Sequence, residues 1–420
     1  MTRLEQALQL RRLSRSLSIC SNDPDVHARR IMKALRRLGA GRPRLLKGLR
    51  AGGRFGLDLS GHHPKLRLWS AAAGHPNAVS GDAVELLHTL QSTEAWHQAG
   101  DSLQQEAASR RLQLWNHRGR LKQADAVLEH LRQHPQAPLF FWHHYDRRGL
   151  LPRSWMAVLK GLKAEGWCVV VSSSELDAEA QNDLQRHEIA VLLRDNIGLC
   201  LGAYRDFCCL LNETSDLIEA RSTLVLANDS TLPVGGASAF LCTLTSMVNE
   251  QDPAHGQLSG ITDSIERDCY HLQSYLLMGN AQLIQDPAWE RFWREFSITG
   301  SKDDLINQGE LGLSQALLRA GLTVKARFSL IGMLLDETTT NGELARFEVR
   351  EPRGVNLSLY AWKPLLKQGC PLIKKQVLFN LRPYSAVAIP LSELKPYLGP
   401  EDDGLRADLE DLLRSRYLNP

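Results

Sequence analysis

The chain has 420 residues, 43% hydrophobic and 23% charged, which excludes a disordered chain and is longer than one ordinary domain. No run approaches the roughly 18–20 apolar residues of a membrane span, and the charged N-terminus has no apolar core of a secretory signal. The net charge is only +3, and the eight cysteines form no C-x-x-C pair, so a zinc framework is not expected.

Residues 1–135 read as a basic, helical region. Leu4, Leu8, Leu10, Leu13 and Leu17 fall near one helical stripe, and "DPDVHARRIMKALRRLG" starts at a capping-type Asp23 and stops at Gly39. Residues 81–99 and 123–134 repeat the pattern, and the glycine-rich stretch from Gly39 to Gly61 reads as loop. Residues 1–54 hold 14 Lys and Arg against Glu5, Asp23 and Asp25. The far end is acidic instead, with Glu401, Asp402, Asp403, Asp408, Glu410 and Asp411. Such asymmetry suits an anionic partner, either nucleic acid or the inner face of a membrane, with a solvated helical face as the plain alternative. The basic segment has little aromatic interleaving for base stacking, which disfavours nucleic acid.

At Pro138 the texture changes. "LFFWHH", "WCVVVSSS", "IAVLLR" and "STLVLANDS" are strand-like runs separated by three helical segments, at 151–166, 175–187 and 202–213. Strands alternating with helices of 10–15 residues predict a parallel sheet covered on both faces. The alternation then fails: 256–264 and 271–280 are strand-like, followed by helices at 287–296 and 302–321. Neither G-x-G-x-x-G nor the P-loop motif occurs, which counts against dehydrogenases and P-loop NTPases, and G-x-S-x-G is absent. The pairs His62-His63 and His143-His144 lack metal-ligand spacing.

The fourth strand ends on Asn228, Asp229 and Ser230, at the edge where parallel sheets bind ligands. Ordinary turn chemistry explains the triplet equally well, since all three residues favour turns. As a ligand edge, Asp229 with the oxygens of its neighbours suits a hard divalent ion such as Mg²⁺ or Mn²⁺. His271 and Gln273 could bond a ligand, or be a satisfied core pair. Arg194 could meet a phosphate, or serve a structural salt bridge.

Several segments in this order resemble the rhamnan synthesis protein F family of glycosyltransferases, over roughly residues 138–382. They are "FFWHHYDRRGLLPRSW", "GWCVVVSSS", "LLRDNIGLCLGAYRDF", "LVLANDSTLPVG", "HLQSYLL", "GELGLSQALLRAGL" and "WKPLLKQGCPLIKKQVL". The resemblance implies an α/β, nucleotide-sugar-binding glycosyltransferase A-like (Rossmann-like) domain over 136–390. It does not include the helical N-terminal extension, 1–135, and an acidic helical tail at 391–420 would follow the domain. It implies metal-assisted departure of a nucleoside diphosphate, with Asp229 holding the divalent cation. Asn228, Ser230, Arg194, Asn196, Cys200, His271 and Gln273 would face the donor. Related transferases place a general base in an acidic pair, with Leu three residues later and Gly eleven later. Glu310 matches through Leu313 and Gly321, although the first position of the pair is Gly309. Where the family follows Asn-x-Gly with x-Asp, after Asn196 and Gly198 this chain has Cys200. The implied activity is an inverting transfer of a sugar, L-rhamnose from its dTDP derivative by family analogy, onto a lipid-linked or growing saccharide. That places the chain in the cytoplasm, its basic N-terminus on the inner membrane face. An inactive scaffold on the same fold is the alternative, with Cys200 and the lone Glu310 as marks of lost activity.

Overall fold

The computed structural model describes residues 54–58, 65–69, 117–298, 302–335, 356–378 and 391–418. The chain forms two compact units, residues 1–116 with 297–304, and residues 117–296 with 305–420. In the first unit β1 (Arg54–Asp58) pairs antiparallel with β2 (Lys65–Trp69). This departs from the expected loop up to Gly61 and from helix throughout 1–135. The cause is legible in "KLRLW", where alternation from Lys65 to Leu68 has the period of a strand rather than a helix. The helices expected at 4–17, 23–39 and 81–99 lie outside the described residues, as does the basic segment apart from Arg54.

The second unit is built on a nine-stranded mixed sheet. Its parallel part is β4 (Leu139–His144), β5 (Cys168–Ser173), β6 (Ala190–Arg194) and β7 (Thr223–Asn228), in spatial order β7-β4-β5-β6. These are the four strands expected from the sequence. A short strand, β3 (Leu121–Lys122), pairs antiparallel with the end of β6 and leads into helix α1 (Ala124–Gln133). Beyond β7 the sheet continues through β11 (Leu276–Asn280) and β9 (Gln257–Ser264), both antiparallel steps. On β9, β10 (His271–Leu272) pairs antiparallel and β12 (Thr323–Phe328) parallel. A separate pair joins β8 (Thr231–Pro233) to β13 (Leu372–Lys374).

Strand β4 is buried along its whole length, and its alternating side chains divide between two helical layers. On one face Trp142 lies 5.0 Å from Trp155 of α2 (Arg153–Ala164). Phe140 meets Phe240 of the helix Gly236–Asn249 at 6.0 Å on the same face. On the other face Phe141 stacks at 4.1 Å on Phe207 of the helix Leu199–Leu211. Trp293, on the helix Pro287–Glu295, extends that second layer through Tyr204. In chain order the helix after α2, Ala178–Arg186, is α3; Leu199–Leu211 is α4, Gly236–Asn249 is α5 and Pro287–Glu295 is α6. Each such buried side chain contributes about 1.5–3 kcal/mol, which makes β4 the central strand energetically as well as topologically.

The acidic C-terminal residues also belong to this unit. Asp402 accepts from the backbone N–H groups of Gly235 and Gly236, at 2.7 and 3.1 Å, where α5 begins. Asp408, on the helix Asp403–Leu418, accepts from the N–H of Arg153 at 2.7 Å and of Ser154 at 3.0 Å, where α2 begins. Both carboxylates answer the unpaired donors and positive dipole end of a helix N-terminus. Burial pushes the Asp408 carboxyl up, against the hydrogen bonds from Ser154.

Candidate functional site

The strand order reverses at β4: the crossovers run outward through β5 and β6, and then return to place β7, also parallel, on the other side of β4. Ligands of open α/β sheets bind beyond the carboxyl ends of the strands at such a switch point. Here the two strand ends are His143-His144 and Asn228-Asp229, held together by pairing of His143 with Asn228 and by an Asp229 N–H bond to the His143 carbonyl.

Three stretches distant in sequence meet at this edge. The first is the turn after β7. Asn228 is buried and fully engaged: its Nδ2 donates to the Tyr204 hydroxyl at 3.0 Å and the Ser274 carbonyl at 3.2 Å, and its Oδ1 accepts the Ser230 N–H. It therefore shapes the turn rather than presenting an amide outward. Asp229 remains half-buried with its carboxylate directed to Lys375, Nζ to Oδ2 3.2 Å. Ser230 is exposed, and its carbonyl accepts the Lys375 N–H at 2.9 Å.

The second stretch is the start of α4. Gly198 and Leu199 both have positive φ, 79° and 54°, and this tight entry puts Cys200 in the first turn. A non-glycine residue in that region is strained, and such strain persists where surrounding structure enforces it. Cys200 is partly buried, and burial pushes its thiol up to about 12, with the Glu310 and Asp229 carboxylates adding to the shift. It is thus a neutral thiol, not a nucleophilic thiolate.

The third stretch carries Glu310. It sits in a π-helical turn, Ile306–Leu311, that runs into the helix α7 (Gly312–Arg319). Such turns interrupt α-helices often at functional positions. The Ser274 hydroxyl donates to Glu310 Oε1, and the Ser274 N–H reaches the same oxygen at 3.3 Å. Both bonds fall on one oxygen, so Oε2 keeps its acceptor capacity. Gly309 packs closely on α4: a Cβ there would lie 2.4 Å from Leu201 Cδ1, so one of the two would have to shift. An acidic side chain at the first position of the pair would collide with α4, which explains why this chain has one carboxylate there.

Ser274 and Tyr204 join these stretches; neither was among the expected site residues, although both lie in segments that carry the family resemblance. Ser274 lies in the short link between β10 and β11, where its hydroxyl donates to Glu310 and its carbonyl accepts from the Tyr204 hydroxyl at 2.9 Å. Burial holds the Tyr204 phenol well above its ordinary range, so it acts as a fixed neutral hydrogen-bonding group.

The remaining expected residues lie elsewhere. Arg194 is buried against Asp206 at 3.0 Å and donates to the Ile197 carbonyl at 2.7 Å, while Arg120 takes the other oxygen of Asp206. This is a structural cluster tying β6 to α4. Asn196 is exposed in the loop before α4. The Oε1 of Gln273 accepts from Thr262 at 2.7 Å and Ser358 at 2.8 Å, and His271 Nδ1 donates to the Cys269 carbonyl. Both are buried. His143 and His144 are the strand-end groups that spacing rules passed over. Burial drives both below the ordinary histidine range, His143 further, with Arg194 adding to it. His144 is fixed by Ser173 Oγ and the Leu150 carbonyl, each 3.0 Å from a ring nitrogen.

A divalent cation fits this arrangement poorly. Hard cations take several oxygen ligands. Asn228 Oδ1 is spent on a backbone N–H, Glu310 Oε1 on Ser274, and the Asp229 carboxylate already faces an ammonium. Among the described residues no group of three or more His, Cys, Asp and Glu side chains could hold a metal ion.

The family model described as rhamnan synthesis protein F matches residues 168–395, just over half of the chain. The chain belongs to the rhamnan synthesis protein F family. The family match takes in Cys200, the Asn228–Ser230 turn, Ser274, Glu310 and Lys375. The chain is also 24% identical over 189 residues to the uncharacterized protein y4gN of Sinorhizobium fredii (strain NBRC 101917 / NGR234). That match spans 44% of this chain and 47% of the relative, about half the relative's length. Among the described residues of this family member, no helix is long and apolar enough to cross a membrane.

Proposed function

We propose that the chain is an inverting glycosyltransferase of polysaccharide synthesis, on a glycosyltransferase A-like fold, using a nucleotide-sugar donor. The observation that carries this is the convergence of Asn228, the neighbour of Asp229, with Cys200 and Glu310 on Ser274 and Tyr204 at the switch point of the sheet. The nucleoside diphosphate lies over the ends of β4 and β7. Glu310, oriented by Ser274, takes the proton of the acceptor hydroxyl through Oε2 as its oxygen attacks the anomeric carbon. The carbon–diphosphate bond breaks, and its electron pair stays on the leaving diphosphate. Neutral Cys200 gives the sugar pocket a wall without charge, and the buried Tyr204 holds Ser274 and Asn228 in place behind it. The family name favours L-rhamnose carried by dTDP, with a lipid-linked or growing saccharide as acceptor. Basic residues of 1–54 hold the enzyme to an anionic membrane surface, each contributing about 1 kcal/mol near it.

The test is turnover. A donor found by thermal shift among dTDP-, UDP- and GDP-sugars is assayed with a lipid-linked saccharide acceptor. Glu310→Gln should cut turnover by about 10²–10⁴ while donor binding survives. Near-normal turnover of that variant, or no donor stabilising the wild-type chain, would overturn the proposal.

A further inference from the structure

We infer that Lys375 is the resident cation of this site: its ammonium, held by Asp229, neutralises the leaving diphosphate without a divalent metal. The inference rests on the glycosyltransferase proposal for the same site.

Lys375 is delivered to the strand ends by backbone structure, not by a loose side chain. Strand β13 pairs with β8 in the register Leu372 to Pro233, Ile373 to Leu232 and Lys374 to Thr231. The next N–H, that of Lys375, then closes on the Ser230 carbonyl at 2.9 Å. The turn that holds Asp229 and the residue that carries the ammonium are therefore one hydrogen-bonded unit. The side-chain contact, 3.2 Å from Nζ to Asp229 Oδ2, is a second link between them. Both side chains are about four-fifths buried, at 22% and 18% exposure, so the charge is screened less than at an open surface. Lys374 is adjacent, its Nζ 5.2 Å from the centre of the Tyr275 ring.

The carboxylate has a clear part in this. A single Asp229 oxygen fixes the ammonium, leaving its other N–H bonds available to phosphate oxygens. An ammonium is a compact charge able to meet whichever oxygen carries the developing negative charge. In the transfer step Lys375 keeps its protons and forms no bond. The acceptor oxygen bonds to the anomeric carbon, Glu310 receives the acceptor proton, and the diphosphate leaves with the electron pair beside Lys375. A divalent ion at Asp229 would first have to displace the ammonium.

The experiment measures binding of dTDP, UDP and GDP by calorimetry, in EDTA and in Mg²⁺ or Mn²⁺, for the full chain. At least one nucleotide should bind wild type equally well in EDTA and in metal. Lys375→Met should weaken that binding in EDTA by about 10- to 150-fold, the loss of one charge-assisted contact. Mg²⁺ should then restore part of it, because the variant frees the Asp229 carboxylate. Lys375→Arg should retain binding in EDTA, which separates lost charge from lost folding. Wild-type binding that needs metal overturns the role of Lys375 and leaves the transferase proposal standing. Binding of none of the three nucleotides, with or without metal, overturns both.

Discussion

Gly309→Ala offers a quantitative check on how Glu310 is held beside α4. The added methyl would lie 2.4 Å from Leu201 Cδ1 and 3.1 Å from Cδ2. Carbon atoms settle near 3.5 Å, so the two groups must separate by about 1.1 Å. Leu201 is only 3% exposed and cannot swing into solvent, so the π turn, α4 or both must move. Overpacking of this kind costs roughly 1–3 kcal/mol, while Gly to Ala within a helix returns up to about 1 kcal/mol. The single substitution should therefore destabilise the fold by up to about 2 kcal/mol, too small a number to decide anything alone. The double-mutant cycle with Leu201→Ala is decisive. Leu201→Ala should itself cost about 2–5 kcal/mol, but it removes the obstacle, so Gly309→Ala becomes neutral or stabilising in its presence. Urea unfolding followed by circular dichroism would give a coupling of about 1–3 kcal/mol. Additive effects of the two substitutions would show that Gly309 does not press on Leu201, and that packing does not explain the missing second carboxylate.

Cys200→Asp should destabilise the fold by about 1–3 kcal/mol at pH 7, because the new carboxylate would be enclosed beside Glu310 and Asp229. Its folded pKa would be raised, so the penalty should shrink as pH falls toward 4, with Cys200→Ser as the near-neutral control; wild-type stability at pH 7 would contradict this. Arg194→Met should cost about 3–5 kcal/mol in denaturant melts, since it leaves part of the buried Asp206 charge uncompensated. A stable Arg194→Met variant that loses only nucleotide affinity would return Arg194 to the ligand. His143 and His144 have folded pKa values below the unfolded value near 6.5, so their contribution is present above about pH 6.5 and drains away below it. Each steepens the fall by at most about 1.4 kcal/mol per pH unit, and His143→Asn should flatten melts recorded from pH 7.5 to 5. Equal slopes for variant and wild type would refute a neutral, buried His143.

The parallel core was legible because its signals are local. Runs such as "CVVVSS" and the helices between them are read within a dozen residues, and the turn after β7 announces itself by composition. The functional arrangement was harder to read because it is made by contacts across long stretches of chain. Lys375 meets Asp229 over 146 residues, and Ser274 meets Glu310 over 36. Residue chemistry alone also misleads in the other direction. Arg194 and Gln273 look like ligand groups in isolation, yet Asp206, Thr262 and Ser358 engage both internally. Gly309 is the converse case, an apparent departure from a motif that the neighbouring Leu201 explains.

The capping of α2 by Asp408 has a consequence for the birth of the protein. Ser154 and Asp408 are 254 residues apart, so at 5–20 residues per second a ribosome takes about 13–50 s to supply the cap after making the helix start. Asp402 is owed to α5 in the same way, across 167 residues. Until these carboxylates emerge, the two helices that cover one face of β4 have unpaired N–H groups at their starts. A nascent chain can form its central strands early, yet that face is completed only by some of the last residues translated. A chain stalled before residue 402 would thus carry an unfinished helical layer, and chaperones or proteases could recognise it as incomplete.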